Sequence, residues 1–169
     1  VALTDKGNVF GAMEFTKTCL DFGIQPILGC VLNIDISRLV NSTNFKNITI
    51  EVTLLVQNEI GWKNLSYLIS KAYFNLKNNK AKYVDLEEFL DLNKGLICLF
   101  NDINENELTN KLYEESYTTL LVKFKKVFGS RFYLDLFRDK SLSLIKKEAY
   151  ILDISEKFDI PLACTNNIS

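Results

Sequence analysis

The chain has 169 residues, 47% hydrophobic and 24% charged, with a formal net charge of −1. That is long enough to bury a sizeable core as one domain, and the near-neutral balance excludes a surface dominated by phosphate-binding cations. No apolar run approaches the length of a bilayer span, the opening residues do not read as a signal peptide, and histidine is absent altogether, which removes the commonest general base and the commonest metal ligand.

Residues 1–4 read as the end of a strand. Residues 9–22 carry helical spacing, with Val9, Met13 and Leu20 in one row and Ala12, Phe15, Cys19 and Phe22 in the next. Asn8 is the predicted N-cap and Gly23 the predicted residue just past the C-terminus. Residues 26–34 form an apolar run dense enough for a parallel strand buried on both faces. A polar loop at 37–47 leads to a strand at 48–56. Trp62, Leu65, Ile69 and Ala72 define the next helix, with Trp62 and Tyr67 expected as core or interface aromatics. A basic loop at 75–82, a short helix at 85–92 and a strand at 95–100 follow. Residues 105–128 are helical with an expected interruption near 116–119, and Lys125 and Lys126 suit the negative end of that helix. A strand at 131–137, a helix at 141–158 with Leu142, Ile145, Ala149 and Leu152 on one face, and a strand at 162–165 complete the pattern.

Alternating strands and helices argue a mostly parallel α/β sheet or barrel. An internal echo supports this: "FGIQPILGC" from Phe22 and "FDIPLAC" from Phe158 both pass from a helix end through Ile and Pro into a strand. The chain starts at Val1 within a strand and stops at Ser169 in a loop, and so reads as a piece of a longer polypeptide. Cys19, Cys30, Cys98 and Cys164 form no CxxC pair. Reduced thiols in a cytoplasmic protein are the expected state, with Cys30 and Cys164 buried and inert.

Ligands of parallel sheets and barrels collect at the C-terminal ends of the strands. The residues there are Asp5 and Lys6, Cys30 and Val31, Asn101 and Asp102, Asp139, and residues 166–169. The blocks "ALTDKGNVFGAMEF", "GIQPILGCVLNI", "VTLLVQNEIGWKNLSYLISKAY", "KGLICLF", "FGSRFYLDLFRD" and "IPLACTNNIS" resemble, in order and spacing, the PHP domain of bacterial replicative DNA polymerase III alpha subunits. The resemblance implies one PHP domain over residues 1–169, built as a distorted (β/α)7 barrel. That barrel is incomplete because the family's opening His-x-His strand would lie before Val1, and palm, fingers and thumb would lie downstream. Active members bind divalent metals and hydrolyse phosphoesters.

The family's ligand positions are substituted here. Its Thr-Asp-His-Gly histidine falls on Lys6, beside the retained acid Asp5, and its glutamate after Gly-Cys falls on Val31. A cysteine-type ligand position falls on Asp102, a histidine position near Asp139, and the closing Asn-Asp-x-His pair on Asn167 and Ser169. A charged lysine has donors and no lone pair. At about 4 Å from a divalent ion and an effective dielectric near 20, its repulsion would be roughly 8 kcal/mol. The resemblance therefore implies no catalytic residues and no metal or other cofactor in this segment, with Lys6 neutralising Asp5 where a cation once sat. It implies magnesium only for the polymerase domain of the parent chain, a DNA-directed DNA polymerase. The implied role is structural, buttressing the polymerase core and helping to dock the proofreading exonuclease subunit. DNA would be a partner of the parent enzyme, with little direct contact here and no membrane.

Other readings stand beside these. Upstream histidines could complete a metal-dependent phosphoesterase or proofreading nuclease with Asp5 and Asp102, and a free-standing α/β interaction module is a third possibility. Lys6 also suits a solvated turn with Asp5 as an Asx-turn former. Asp135 and Asp139 read as strand-end residues rather than palm aspartates. The basic run from Lys77 to Lys82 reads as a solvated loop, and the Asn-x-Ser/Thr matches at Asn41, Asn47, Asn64 and Asn167 as chance.

Overall fold

The computed structural model describes residues 1–40, 48–75, 82–100, 111–137 and 142–166. In chain order the elements are β1 (Ala2–Leu3), α1 (Ala12–Asp21), β2 (Ile27–Asp35), β3 (Thr49–Val56), α2 (Glu59–Phe74), β4 (Val84–Asp85), α3 (Leu86–Asp91), β5 (Leu96–Phe100), α4 (Lys111–Phe128), a 3-10 turn at Gly129–Arg131, β6 (Phe132–Phe137), α5 (Leu142–Phe158) and β7 (Leu162–Thr165). The sheet order is β1-β2-β3-β5-β6-β7, with β4 also against β2. β1 and β7 do not pair with each other, so the sheet is a curled half-barrel rather than a closed one.

The mostly parallel sheet is present, with one correction. β3 runs antiparallel to both β2 and β5, while the β1–β2, β2–β4, β5–β6 and β6–β7 pairs are parallel. No crossover helix lies among the described residues between β2 and β3, and only an antiparallel return can dispense with one.

The helices cover one face. Cys30, Leu32 and Ile34 of β2, Ile50, Val52 and Leu54 of β3, and Phe132, Leu134 and Leu136 of β6 share a core with Leu65, Leu68 and Ala72 of α2, Phe89 of α3 and Phe124 of α4. Alternate residues point to the opposite face. Along β2 burial alternates, with Val31, Asn33 and Asp35 only half-buried, so the strand is not buried on both faces as its apolar density suggested. Gly95, just ahead of β5, lies against the first turn of α2. There the Asn58 side chain caps the helix by accepting from Gly61 N at 3.0 Å, and Gln57 N donates to the Gly95 carbonyl at 2.9 Å.

Several local expectations shift. The N-cap of α1 is Gly11. Asn8 instead forms an Asx turn, accepting from Phe10 N and donating to the Lys6 carbonyl, both at 3.1 Å, and this delays the helix by three residues. Of the two α1 rows only Ala12 and Cys19 are buried, while Met13, Leu20 and Phe22 face outward. Trp62 and Tyr67 are exposed rather than core. α4 runs unbroken through residues 116–119. On α5 the buried residues are Ile151 and Ile154, with Ala149 and Leu152 exposed; the side chains of Leu142 and Ile145 lie outside the described ones.

The echo is a repeated helix stop. Ile24 N donates to the Cys19 carbonyl at 2.8 Å, and Ile160 N to the Ser155 carbonyl at 3.0 Å. Gly23 (φ 67°) and Asp159 (φ 50°) occupy the left-handed position between, the arrangement of a Schellman cap. Asp159 pays the steric cost that Gly23 avoids. Lys125 reaches across from α4 to offset it, its Nζ donating to the Phe158 carbonyl at 2.6 Å and the Asp159 carbonyl at 2.8 Å. Lys125 thus caps the following helix as well as ending its own.

Candidate functional site

The β1–α1 turn places Asp5 and Lys6 beside β2. Val31 N donates to the Asp5 carbonyl at 3.0 Å and Gly7 N to the Val31 carbonyl at 2.9 Å, and Lys6 pairs with Val31 as a parallel bridge. In extended backbone, neighbours point to opposite faces. Lys6 therefore lies with Val31 on the open face. Asp5 turns toward the helix side, where its carboxylate lies beside Gly11 and Cys30.

The Lys6 ammonium does not go to Asp5, contrary to expectation. It donates to both carboxylate oxygens of Glu51, at 3.0 and 3.2 Å. Glu51 sits on β3 opposite Asn33, so the pair reaches over β2 and ties the turn to β3. The two side chains are 74% and 46% exposed, and such a pair contributes at most about 1 kcal/mol. The same exposure screens the repulsion that Lys6 would exert on a cation. Lys6, Val31, Asn33, Glu51 and Lys82 line a shallow cavity of about 150 Å³.

Two strands beyond β3, Asp135 of β6 occupies the same open face. It is 8% exposed, and the Thr165 hydroxyl, on β7, donates to its carboxylate at 2.7 Å. Asp135 lies within β6 rather than at its end. Asp102, Asp139, Asn167 and Ser169 lie outside the described residues, as do Asn101, residues 77–81 and Asn41, Asn47 and Asn167 of the Asn-x-Ser/Thr matches. Among the described residues no three His, Cys, Asp or Glu side chains converge on one point. Glu51 was missed in the sequence; a lone acid inside the apolar strand "TIEVTLLV" is the signal that could have found it.

Cys30 lies beneath the turn on the helix side. Burial pushes its thiol up from the ordinary 9 to about 11, against the backbone N–H groups of Gly7 and Asn8, which favour the thiolate; Asp5 raises it a little further. Burial raises the Cys98 thiol as well. Cys164, expected buried, is exposed, because β7 is an edge strand. In the native protein at about pH 8, Ellman's reagent should titrate Cys164 rapidly and the other three only on unfolding. Because the folded Cys30 pKa is raised, folding loses stability as pH rises through 9 toward 11. Rapid native labelling of all four thiols would contradict this placement.

The family model described as PHP domain matches residues 1–139. The chain belongs to the PHP domain family. Relatives of this PHP domain include the DNA polymerase III subunit alpha of Rickettsia bellii, 31% identical over 173 residues, with 99% of this chain and 14% of that protein covered. The subunit of the same name from Rickettsia conorii is 29% identical over 174 residues, again with 99% and 14% covered. That of Vibrio cholerae is 28% identical over 171 residues, with the same coverage. This PHP domain thus spans about 14% of the length of these relatives. Among solved structures, a protein from Bifidobacterium adolescentis assigned as a metal-dependent phosphoesterase superposes with a TM-score of 0.53 at 12% identity, covering 99% of this chain and 75% of that one. The likeness establishes the shared fold.

Proposed function

We propose that this chain is the PHP segment of a bacterial replicative DNA polymerase alpha chain, and that it serves there as a structural element without hydrolytic activity. The observation that carries the reading is the Lys6–Glu51 ion pair over Val31. A hydrolytic divalent centre needs several lone pairs converging on one point. At the mouth of the β1–α1 turn stand an ammonium, an isopropyl group and a carboxylate already engaged by that ammonium, with Asp5 turned to the other face. That donor set does not fit a metal cluster. The polymerase assignment is supported by relatives that match nearly the whole chain under that name.

In this reading the remainder of the alpha chain is the principal partner. The magnesium ions of synthesis are held by palm aspartates elsewhere in the parent chain, which is also where DNA is bound. By resemblance the domain helps to seat the proofreading exonuclease subunit, in the cytoplasm; no described helix is long and apolar enough to cross a membrane.

The purified chain, supplied with manganese or zinc, should hydrolyse neither p-nitrophenyl phosphate, pyrophosphate nor single-stranded DNA above background, and should retain no tightly bound metal cluster on gel filtration. A bound pair of transition-metal ions, or a purification-stable activity abolished by Asp5→Asn, would overturn the reading in favour of a metal-dependent phosphoesterase.

A further inference from the structure

α1 is packed against the molecule by a narrow stripe and presents a broad apolar one outward. Its buried residues are Ala12 and Cys19. Phe10, just ahead of the helix, and Met13 are 85% and 84% exposed, and Leu20 and Phe22 are 64% and 76% exposed. Phe10, Met13 and Leu20 follow helical spacing along one side, Lys17 lying between the last two. The stripe continues past the helix end. The Schellman cap folds Ile24 back against Cys19, and Ile24 is exposed too. β1, whose Leu3 lies beside Gly11 at the start of α1, pairs only with β2 among the described residues, so among them its other edge is open. Exposed apolar side chains recurring along one side of a helix, close to a strand with one open edge, mark a contact surface.

The charges beside the stripe, Glu14, Lys17 and Asp21, are mixed and mildly acidic. They suit neither a phosphate backbone nor an anionic lipid surface. The relatives that match 99% of this chain are about sevenfold longer, since the match covers 14% of them; most of the surface available to such a domain belongs to its own polypeptide. We infer that the outer face of α1, from Phe10 to Ile24, is an intrachain interface covered by the remainder of the polymerase polypeptide. This rests on the polymerase reading above.

Met13 is the single methionine of the chain and lies in the middle of the stripe, so its oxidation reports coverage. The full-length polypeptide encoded by the gene is treated with dilute hydrogen peroxide, natively and after unfolding in urea, and the peptide carrying Met13 is followed by mass spectrometry. Native Met13 should oxidise at least about tenfold more slowly than in the unfolded sample, whereas in the 169-residue chain at low concentration the two rates should agree within about twofold. Equal rates in the native and unfolded full-length protein overturn the inference. So does protection that appears in the 169-residue chain as its concentration rises, together with a dimer mass in sedimentation, since a second copy would then be the occupant. A gene that encodes nothing beyond this chain overturns it as well. A primer-extension assay on the same full-length preparation separates the two readings: protection without DNA synthesis leaves the interface standing and removes the polymerase assignment, while synthesis with Met13 open does the reverse.

Discussion

Replacing Phe124 with alanine is expected to destabilise the domain by about 4 kcal/mol, lowering its melting temperature by about 10 °C. Phe124 is fully buried one turn before the end of α4. Its ring meets Phe89 of α3 at 5.3 Å, Phe100 of β5 at 5.9 Å, Phe132 of β6 at 5.5 Å and Phe128 of its own helix at 6.2 Å between centroids. The Phe100 and Phe132 contacts are edge-on, the geometry that aromatic quadrupoles favour. Truncation removes the area burial and the ring contacts together. It leaves a cavity walled by other rings, which cannot collapse into it. A conservative Phe124→Leu change should recover roughly half of the loss, since it keeps most of the volume. Thermal and urea unfolding followed by circular dichroism reads both values. A midpoint for Phe124→Ala within experimental error of the wild type would mean that α4 does not seat on this cluster.

A single added methyl should do comparable damage at the other end of the core. Gly61→Ala is expected to cost about 3 kcal/mol, near the upper end of overpacking losses. A Cβ on Gly61 would overlap the Gly95 carbonyl, a backbone atom that no rotamer change can move aside. Gly95 in turn has φ 73° and lies against the Asn58 side chain and the backbone of Gly61. Helix α2 and strand β5 approach this closely because neither carries a side chain at the crossing. The same crossing holds the Asn58 cap and the Gln57 N–H to Gly95 carbonyl bond. Chemical denaturation is the measurement; a Gly61→Ala midpoint equal to that of the parent would show that the backbones are further apart than described.

These two expectations also fit the proposed role. A domain that supports a larger polypeptide needs a stiff core more than a poised site, and here an aromatic cluster packs within the core between the sheet and its helices. The open face, by contrast, holds an exposed ion pair of small energetic weight. Arg131 shows the same emphasis on framework. Its guanidinium donates to the Asn93 and Leu96 carbonyls, each at 2.6 Å, and to the Asn93 side chain at 2.9 Å, closing the start of β5 against the turn that precedes β6.

Much of the fold was legible along the chain because its causes are local. The strand at Leu162–Thr165 follows from the proline before it and its short apolar run, and the end of α4 at Phe128 from the glycine that comes next. The echo of Phe22 and Phe158 is a backbone device whose residues are neighbours in sequence. Elements of two residues, such as β4, carry too little pattern to be read. The antiparallel direction of β3 depends on where its partners lie, which periodicity does not encode.

The candidate site divides in the same way. That a lysine and a valine stand at the first strand-to-helix turn and the strand beside it is a property of residue type, and the sequence by itself determined it, along with the helix stops; that β2 has one buried and one open face emerged only in the structure. Which partner the lysine takes was decided only by the tertiary structure. Asp5 is adjacent in the chain yet opposite in direction, because extended backbone alternates. Glu51, 45 positions away, becomes the neighbour because β3 folds back antiparallel along β2. Pairing register is a long-range property, and it turned the nearest acid in sequence away and brought a distant one to the ammonium.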